Sequence, residues 1–124
     1  MIGIISYLPN DKKLRDVRKK NHLKQLQWLV NLFPNETINI VAQGYQDSDL
    51  FPYKTINYIR FAEGIGSTES RNILLRQFYK DNDDEYLFLL DDDVLSYPYY
   101  DADTLIYDIY IWVRKYMILI YYFP

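Results

Sequence analysis

Three consecutive carboxylates, Asp91-Asp92-Asp93, directly follow the apolar run Tyr86-Leu87-Phe88-Leu89-Leu90. Such a run reads as a buried strand, which puts the carboxylates at its carboxyl end, where open α/β sheets bind ligands. Adjacent carboxylates repel one another, and a cation bound between them relieves the repulsion. Hard oxygen donors suit Mg²⁺ or Mn²⁺, ions that are held by one or two carboxylates together with substrate phosphates. Asp91 and Asp93 lie two apart and share a side if the strand continues through them. The competing reading is a solvated acidic turn.

About twenty residues earlier stands Gly64-Ile65-Gly66-Ser67-Thr68-Glu69-Ser70-Arg71-Asn72. The glycines suit a turn, Ser67 or Thr68 suits the cap of a following helix, and Arg71 falls one turn inside it. Backbone N–H groups at a helix start and a guanidinium both suit a phosphate or a ribose. By itself a glycine turn with a capped helix is common, and Arg71 could equally be an ordinary surface or ion-pair residue.

Elements that position these groups can be read along the chain. Met1 to Tyr7 is a short apolar strand closed by Pro9 and Asn10. Asn10 or Asp11 can cap a helix from Lys12 to Phe33, with Leu23, Leu26, Leu29, Val30 and Phe33 at helical spacing, stopped by Pro34-Asn35. Thr37 to Ala42 and Asn57 to Phe61 read as further strands, a second helix runs to about Lys80, and Tyr86 to Leu90 is the next strand. The order strand, helix, strand, strand, helix, strand describes an α/β domain with a mostly parallel sheet.

Composition narrows the chemistry. The 124 residues contain no cysteine, which excludes disulfides, thiolate metal sites and thiol catalysis, and leaves oxygen ligands or the one histidine, His22. Between Asp11 and Lys24 seven Lys/Arg stand against two Asp, a net +5, so the rest of the chain carries −8. A basic segment attracts polyanions such as nucleic acid or a nucleotide, whereas a solvated helix face is the plainer reading. His22 reads as a surface or helix-packing residue, and Trp28 and Trp112 as packing residues. The short apolar stretch Ile2 to Ile5 runs into Pro9 and charged residues, unlike a signal peptide, and the expected setting is cytoplasmic.

The combination Gly66-x-x-x-Ser70-Arg71-Asn72, an apolar strand and Leu90-Asp91-Asp92-Asp93 resembles GT-A glycosyltransferases, in which a Gly-x-x-x-Ala-Arg-Asn helix leads into an Asp-x-Asp motif. The opening Ile2-Gly3-Ile4-Ile5-Ser6-Tyr7-Leu8-Pro9 and its long helix look like the family's nucleotide-binding start, so the likeness covers roughly residues 1–95. The resemblance implies a three-layer Rossmann-like domain that binds a nucleotide-sugar donor, expected to be a UDP-sugar, with Mg²⁺ or Mn²⁺. It implies that Ser6, Tyr7, Leu8 and Pro9 line the nucleoside. Gly66, Arg71 and Asn72 would lie near the donor, with Asp91 and Asp92 among the donor contacts and Asp91 and Asp93 as metal ligands. Gln43 stands where many relatives carry an acidic residue that reads the base. The Tyr-x-Pro-Asn-Asp opening and the basic helix with Gln27-Trp28 are similar to phage glycosyltransferases that modify hydroxymethylated pyrimidines, which implies a DNA acceptor along helix 12–24. A nucleotidyltransferase would share the donor chemistry, but its Gly-rich, Lys-containing phosphate loop is not evident.

Residues 97–124 differ in character, with eight tyrosines, five isoleucines and no glycine. Either a strand or helix completing the core, or a chain ended early or read out of frame after about Asp93, accounts for them. The apolar part after Lys115 is too short to span a bilayer as a helix. A GT-A enzyme needs an acceptor-side half after the acidic motif, so the expected organisation is an incomplete domain, with a donor-binding half at 1–96 and a Tyr/Ile-rich tail at 97–124. Asp101, Asp103 and Asp108 are the only carboxylates in that tail, and they read either as acceptor-side groups or as surface charges. A non-catalytic nucleotide-binding or interaction module of the same fold is the alternative to an enzyme.

Overall fold

The structure is a computed structural model that describes residues 1–81, 86–93, 111–114 and 117–122, the last two stretches and Asp81 as backbone only. Strand β1 spans Ile2–Tyr7, helix α1 Lys12–Leu32, β2 Ile38–Gln43, β3 Ile56–Phe61, α2 Ser67–Asp81 and β4 Tyr86–Asp91. A 3₁₀ turn covers Asp47–Asp49. Beyond β4 come β5, Ile111–Arg114, and β6, Met117–Tyr122.

Strands β1 to β4 are mutually parallel and ordered β3-β2-β1-β4, which is the α/β architecture expected from the strand and helix order. β5 and β6 extend the same sheet antiparallel on the β4 side, so this part of the tail continues the sheet as strands. Asp101, Asp103 and Asp108 and the Trp112 side chain lie outside the described residues.

Strand alternation divides the core into two layers. Ile2, Ile4, Ile38, Ile40, Phe88 and Leu90 face α1, where Leu26 and Leu29 are fully buried. Ile5, Val41, Leu87 and Leu89 face α2, against Leu74 and Phe78. The sheet is therefore covered on both faces, the arrangement that parallel strands require. Among the described residues no helix is long and apolar enough to cross a membrane.

Local chemistry sets the boundaries. Asp11, rather than Asn10, caps α1 by accepting from the Leu14 N–H at 2.9 Å. Phe33 forms the C-cap just before Pro34. Helix α2 begins at Ser67 itself, so Ser67 and Thr68 are its first two residues and Gly66, at φ 87°, makes the turn that leads into it. Ser70, fully buried, donates from Oγ back to the Gly66 carbonyl at 2.6 Å.

Helix α1 is much longer than the strands it covers. Its 21 residues extend about 31 Å, against about 20 Å for a six-residue strand. Its buried residues, His22, Gln25, Leu26 and Leu29, all belong to its second half. Gln25 reaches the last residue of β4, so the first half of α1 projects past the carboxyl edge of the sheet.

Candidate functional site

In the order β3-β2-β1-β4, the chain runs outward from β1 to β3 on one side and then returns to place β4 on the other. The direction of winding reverses between β1 and β4, and the crevice at such a switch point, at the carboxyl ends of the strands, is where open α/β sheets take ligands. Ser6 and Tyr7 from the end of β1 meet Asp91 and Asp92 from the end of β4 at this place.

Asp91 is the last residue of β4 and the chain turns at Asp92 and Asp93. The strand does not continue through Asp93, so alternation does not put Asp91 and Asp93 on one side. The three carboxylates diverge instead. Asp91 turns to the α2 side, where Arg71 Nη2 lies 3.5 Å from Oδ1; the two side chains are 43% and 58% exposed. Asp92 turns to the α1 side, where Ser6 Oγ donates to Oδ2 at 2.7 Å and the Tyr7 N–H approaches the same oxygen at 3.4 Å. Asp93 is exposed.

A buried polar cluster supports the Asp92 side. The Ser6 hydroxyl, 1% exposed, also bonds the Tyr45 hydroxyl. Ser6 gives its one proton to Asp92, so Tyr45 is the donor in that second bond, and the three groups form a chain of hydrogen bonds ending on the carboxylate. Burial raises the Tyr45 phenol well above its ordinary value, which keeps this donor protonated. His22, fully buried, bonds Gln25 through Nδ1 at 3.1 Å and packs edge-on to Tyr45. Burial lowers its pKa, opposed by the Asp92 charge and the Gln25 bond. His22 is thus a helix-packing residue and not a surface one.

Several expected donor contacts serve the fold instead. Leu8 is 1% exposed and belongs to the core facing α1, so its side chain does not line a nucleoside site. Gln43 is the last residue of β2, 3% exposed; its Oε1 accepts from the Ile65 and Gly66 N–H groups at 2.8 and 3.2 Å, and its Nε2 donates to the Ser6 carbonyl at 3.3 Å. It braces the glycine turn against β1. Asn72 is exposed on the outer face of α2, in a shallow groove with Leu75, Arg76, Tyr79 and Lys80, and is not brought to the acidic turn.

Tyr7 does reach the rim. Its ring, 43% exposed in the residue as a whole, lies against the backbone of Gly64, where a Cβ would stand 3.4 Å from Cε2. Gly44 is constrained more tightly, with φ 74° and a hypothetical Cβ only 2.5 Å from the Leu8 carbonyl oxygen. Pro9 is half-buried, and its carbonyl accepts from Arg15 Nη1 at 3.2 Å.

The basic helix is partly an internal clamp. Arg15 also donates to the Gly44 carbonyl at 2.9 Å and pairs with Asp49, which Lys19 approaches at 2.9 Å. Burial pushes the Asp49 carboxyl up, but the Gln46 N–H, Lys19 and Arg15 outweigh it and hold it below its usual value. Arg18 donates to the Tyr7 carbonyl at 3.0 Å. Lys12, Lys13, Lys20 and Lys24 are exposed, as are Leu14 and Val17.

The carboxylates present suit Mg²⁺ or Mn²⁺ in donor type. Asp91 and Asp93 are exposed oxygen donors, and no group of three His, Cys, Asp or Glu among the described residues could hold a metal ion alone. Gln25 and Tyr45 support the site without belonging to any motif of the sequence, and His22 supports it from the core. His22 and Gln25 share the i, i+3, i+4, i+7 stripe with Leu26 and Leu29, and two polar side chains on an apolar stripe are the signal that could have found them. Compared with known proteins, the chain matches no family model, no curated protein and no solved structure.

Proposed function

We propose that this chain is the nucleotide-sugar-binding part of a metal-dependent glycosyltransferase of GT-A type. The observation that carries the reading is the convergence of Ser6, Tyr7, Asp91, Asp92 and Arg71 at the switch point of a parallel sheet. Asp91 and Asp93 would hold Mg²⁺ or Mn²⁺ together with the diphosphate of a UDP-sugar, and Arg71 stands beside Asp91 to meet the same phosphates. When bound, such an ion would neutralise charge on the leaving diphosphate. The exposed Tyr7 ring offers a flat surface for the base. The acceptor is a hydroxyl group, on modified phage DNA by the resemblance. The projecting half of α1 supports that choice, since Lys12, Lys13 and Lys20 are exposed there. A cytoplasmic setting follows from the same reading.

A second reading, a module that binds a nucleotide without transferring sugar, draws on Gln43 and Asp92, whose polar atoms are bonded to the protein's own backbone and to Ser6. A thermal-shift screen of nucleotide sugars with Mn²⁺ or EDTA tests both, because a ligand that binds only the folded state raises its melting temperature. The glycosyltransferase reading expects a metal-dependent shift with at least one donor and sugar release or transfer in a product assay. A shift without any turnover favours the second reading, and no shift with any donor contradicts both.

A further inference from the structure

Gln25 is a long polar side chain at a fully buried position, on the same helical stripe as Leu26 and Leu29. An apolar side chain of its length would fill that space without desolvating an amide. Its Nε2 donates to the main-chain carbonyl of Asp91 at 2.7 Å, across 66 residues of sequence. With the nitrogen so oriented, Oε1 is the atom that faces His22, and an acceptor oxygen requires Nδ1 of His22 to carry the proton. His22 therefore holds Gln25, and Gln25 holds Asp91.

The place of that carbonyl gives the contact its meaning. Asp91 pairs with Ile5 in the last rung between β4 and β1, and after it the chain leaves the sheet for the turn at Asp92 and Asp93. The ladder thus ceases to fix the backbone at the residue where the carboxylates begin to diverge. Gln25 fixes the peptide that leaves Asp91, and Ser6 with the Tyr7 N–H fixes the side chain one residue later. With these two successive anchors on the α1 side, Asp91 turns its carboxylate toward Arg71 and Asp93 is exposed.

We propose that Gln25, held by His22, is a positioning residue that sets the direction of the acidic turn and so the placement of its two exposed carboxylates for a divalent cation. This rests on the metal-binding reading above for its cation, though not for the anchoring of the backbone. Residues of this kind, which orient a ligand without touching the metal, change metal affinity by about 10–100-fold when lost.

The test compares Gln25→Met with Gln77→Met. Gln77 is a partly buried glutamine of α2 that donates to Asn39 at 3.0 Å, and its loss serves as a control for removing a glutamine's hydrogen bond elsewhere in the core. Two readouts are taken on each variant and on His22→Phe: Mn²⁺ affinity at saturating UDP, from the paramagnetic signal of free Mn²⁺, and hydrogen exchange of the Asp92 and Asp93 amides. Gln25→Met should weaken Mn²⁺ binding about tenfold and speed exchange at both amides; His22→Phe should do both to a smaller extent, and Gln77→Met should do neither. A Gln25→Met or His22→Phe protein that keeps wild-type exchange at Asp92 and Asp93 overturns the proposal. If the wild type binds no Mn²⁺, the metal reading fails, while the exchange comparison still decides the positioning role. If Gln25→Met does not fold, His22→Phe decides it.

Discussion

The acidic turn meets the two faces of the sheet in different ways. Toward α1, Asp92 is held by Ser6, Tyr45 supports Ser6, and Gln25 holds the backbone of Asp91, all from buried positions. Toward α2, Asp91 has a long contact with Arg71 in which both side chains are substantially exposed. Away from this edge the faces are alike, each with an apolar layer under a helix. One side of the turn is thus held from buried positions, and the other is open to solvent. Fixed carboxylates need such a scaffold, because groups meant to bind are held in geometry by neighbours that do not.

In the body of the domain the two faces should cost alike when their cores are truncated. Leu26→Ala under α1 and Phe78→Ala under α2 should each cost about 3–5 kcal/mol in denaturant unfolding, since both residues are fully buried. A cost under about 1 kcal/mol on either face would mean that the helix there does not cover the sheet.

Asymmetry should appear at the edge. Ser6→Ala leaves the Tyr45 hydroxyl without its acceptor and the Asp92 oxygen with only the long Tyr7 N–H contact, and should cost about 1–3 kcal/mol. The pH dependence sharpens the same side. His22 has its pKa lowered by burial from the ordinary value of 6.5, so the unfolded chain takes up a proton that the native protein resists. Stability is therefore present above pH 6.5 and falls as pH drops below it toward the native pKa, and His22→Gln should flatten that slope in melting curves between pH 7 and pH 5. Unchanged slope in the variant would assign the acid sensitivity elsewhere. The smallest effect belongs to the α2 side: Arg71→Ala should stay within about 0.5 kcal/mol of wild type, as exposed ion pairs contribute little, while weakening the binding of a nucleotide diphosphate. A stability loss equal to that of Ser6→Ala would erase the contrast.

Much of the scaffold was legible in the residues themselves. Periodicity and the stop at Pro34 and Asn35 located α1, and the apolar run into Asp91 located β4, because those signals are local. Gln43 was harder. It looks like the first residue of a polar loop, yet β2 continues through it and turns its amide to the glycine turn. The pairing of Asp91 with Asp93 assumed that the strand continued, whereas β4 ends at Asp91 and the middle carboxylate is the anchored one. Gln25 and His22 stand among basic residues; their place on the apolar stripe marks them as buried, but the contact of Gln25 with β4 is one that no local pattern records. The Lys/Arg run hid a similar division, with Arg15 and Lys19 turned inward on Asp49 and the lysines at 12, 13, 20 and 24 exposed.

The central claim, that the exposed carboxylates of the acidic turn bind a metal-nucleotide complex, is tested most directly by calorimetric titration of UDP into wild type and Asp91→Asn, with Mn²⁺ and with EDTA. The account predicts Mn²⁺-dependent binding by the wild type and its loss in an Asp91→Asn protein that melts at the wild-type temperature. Binding that is unchanged by EDTA, or undiminished in Asp91→Asn, would contradict it.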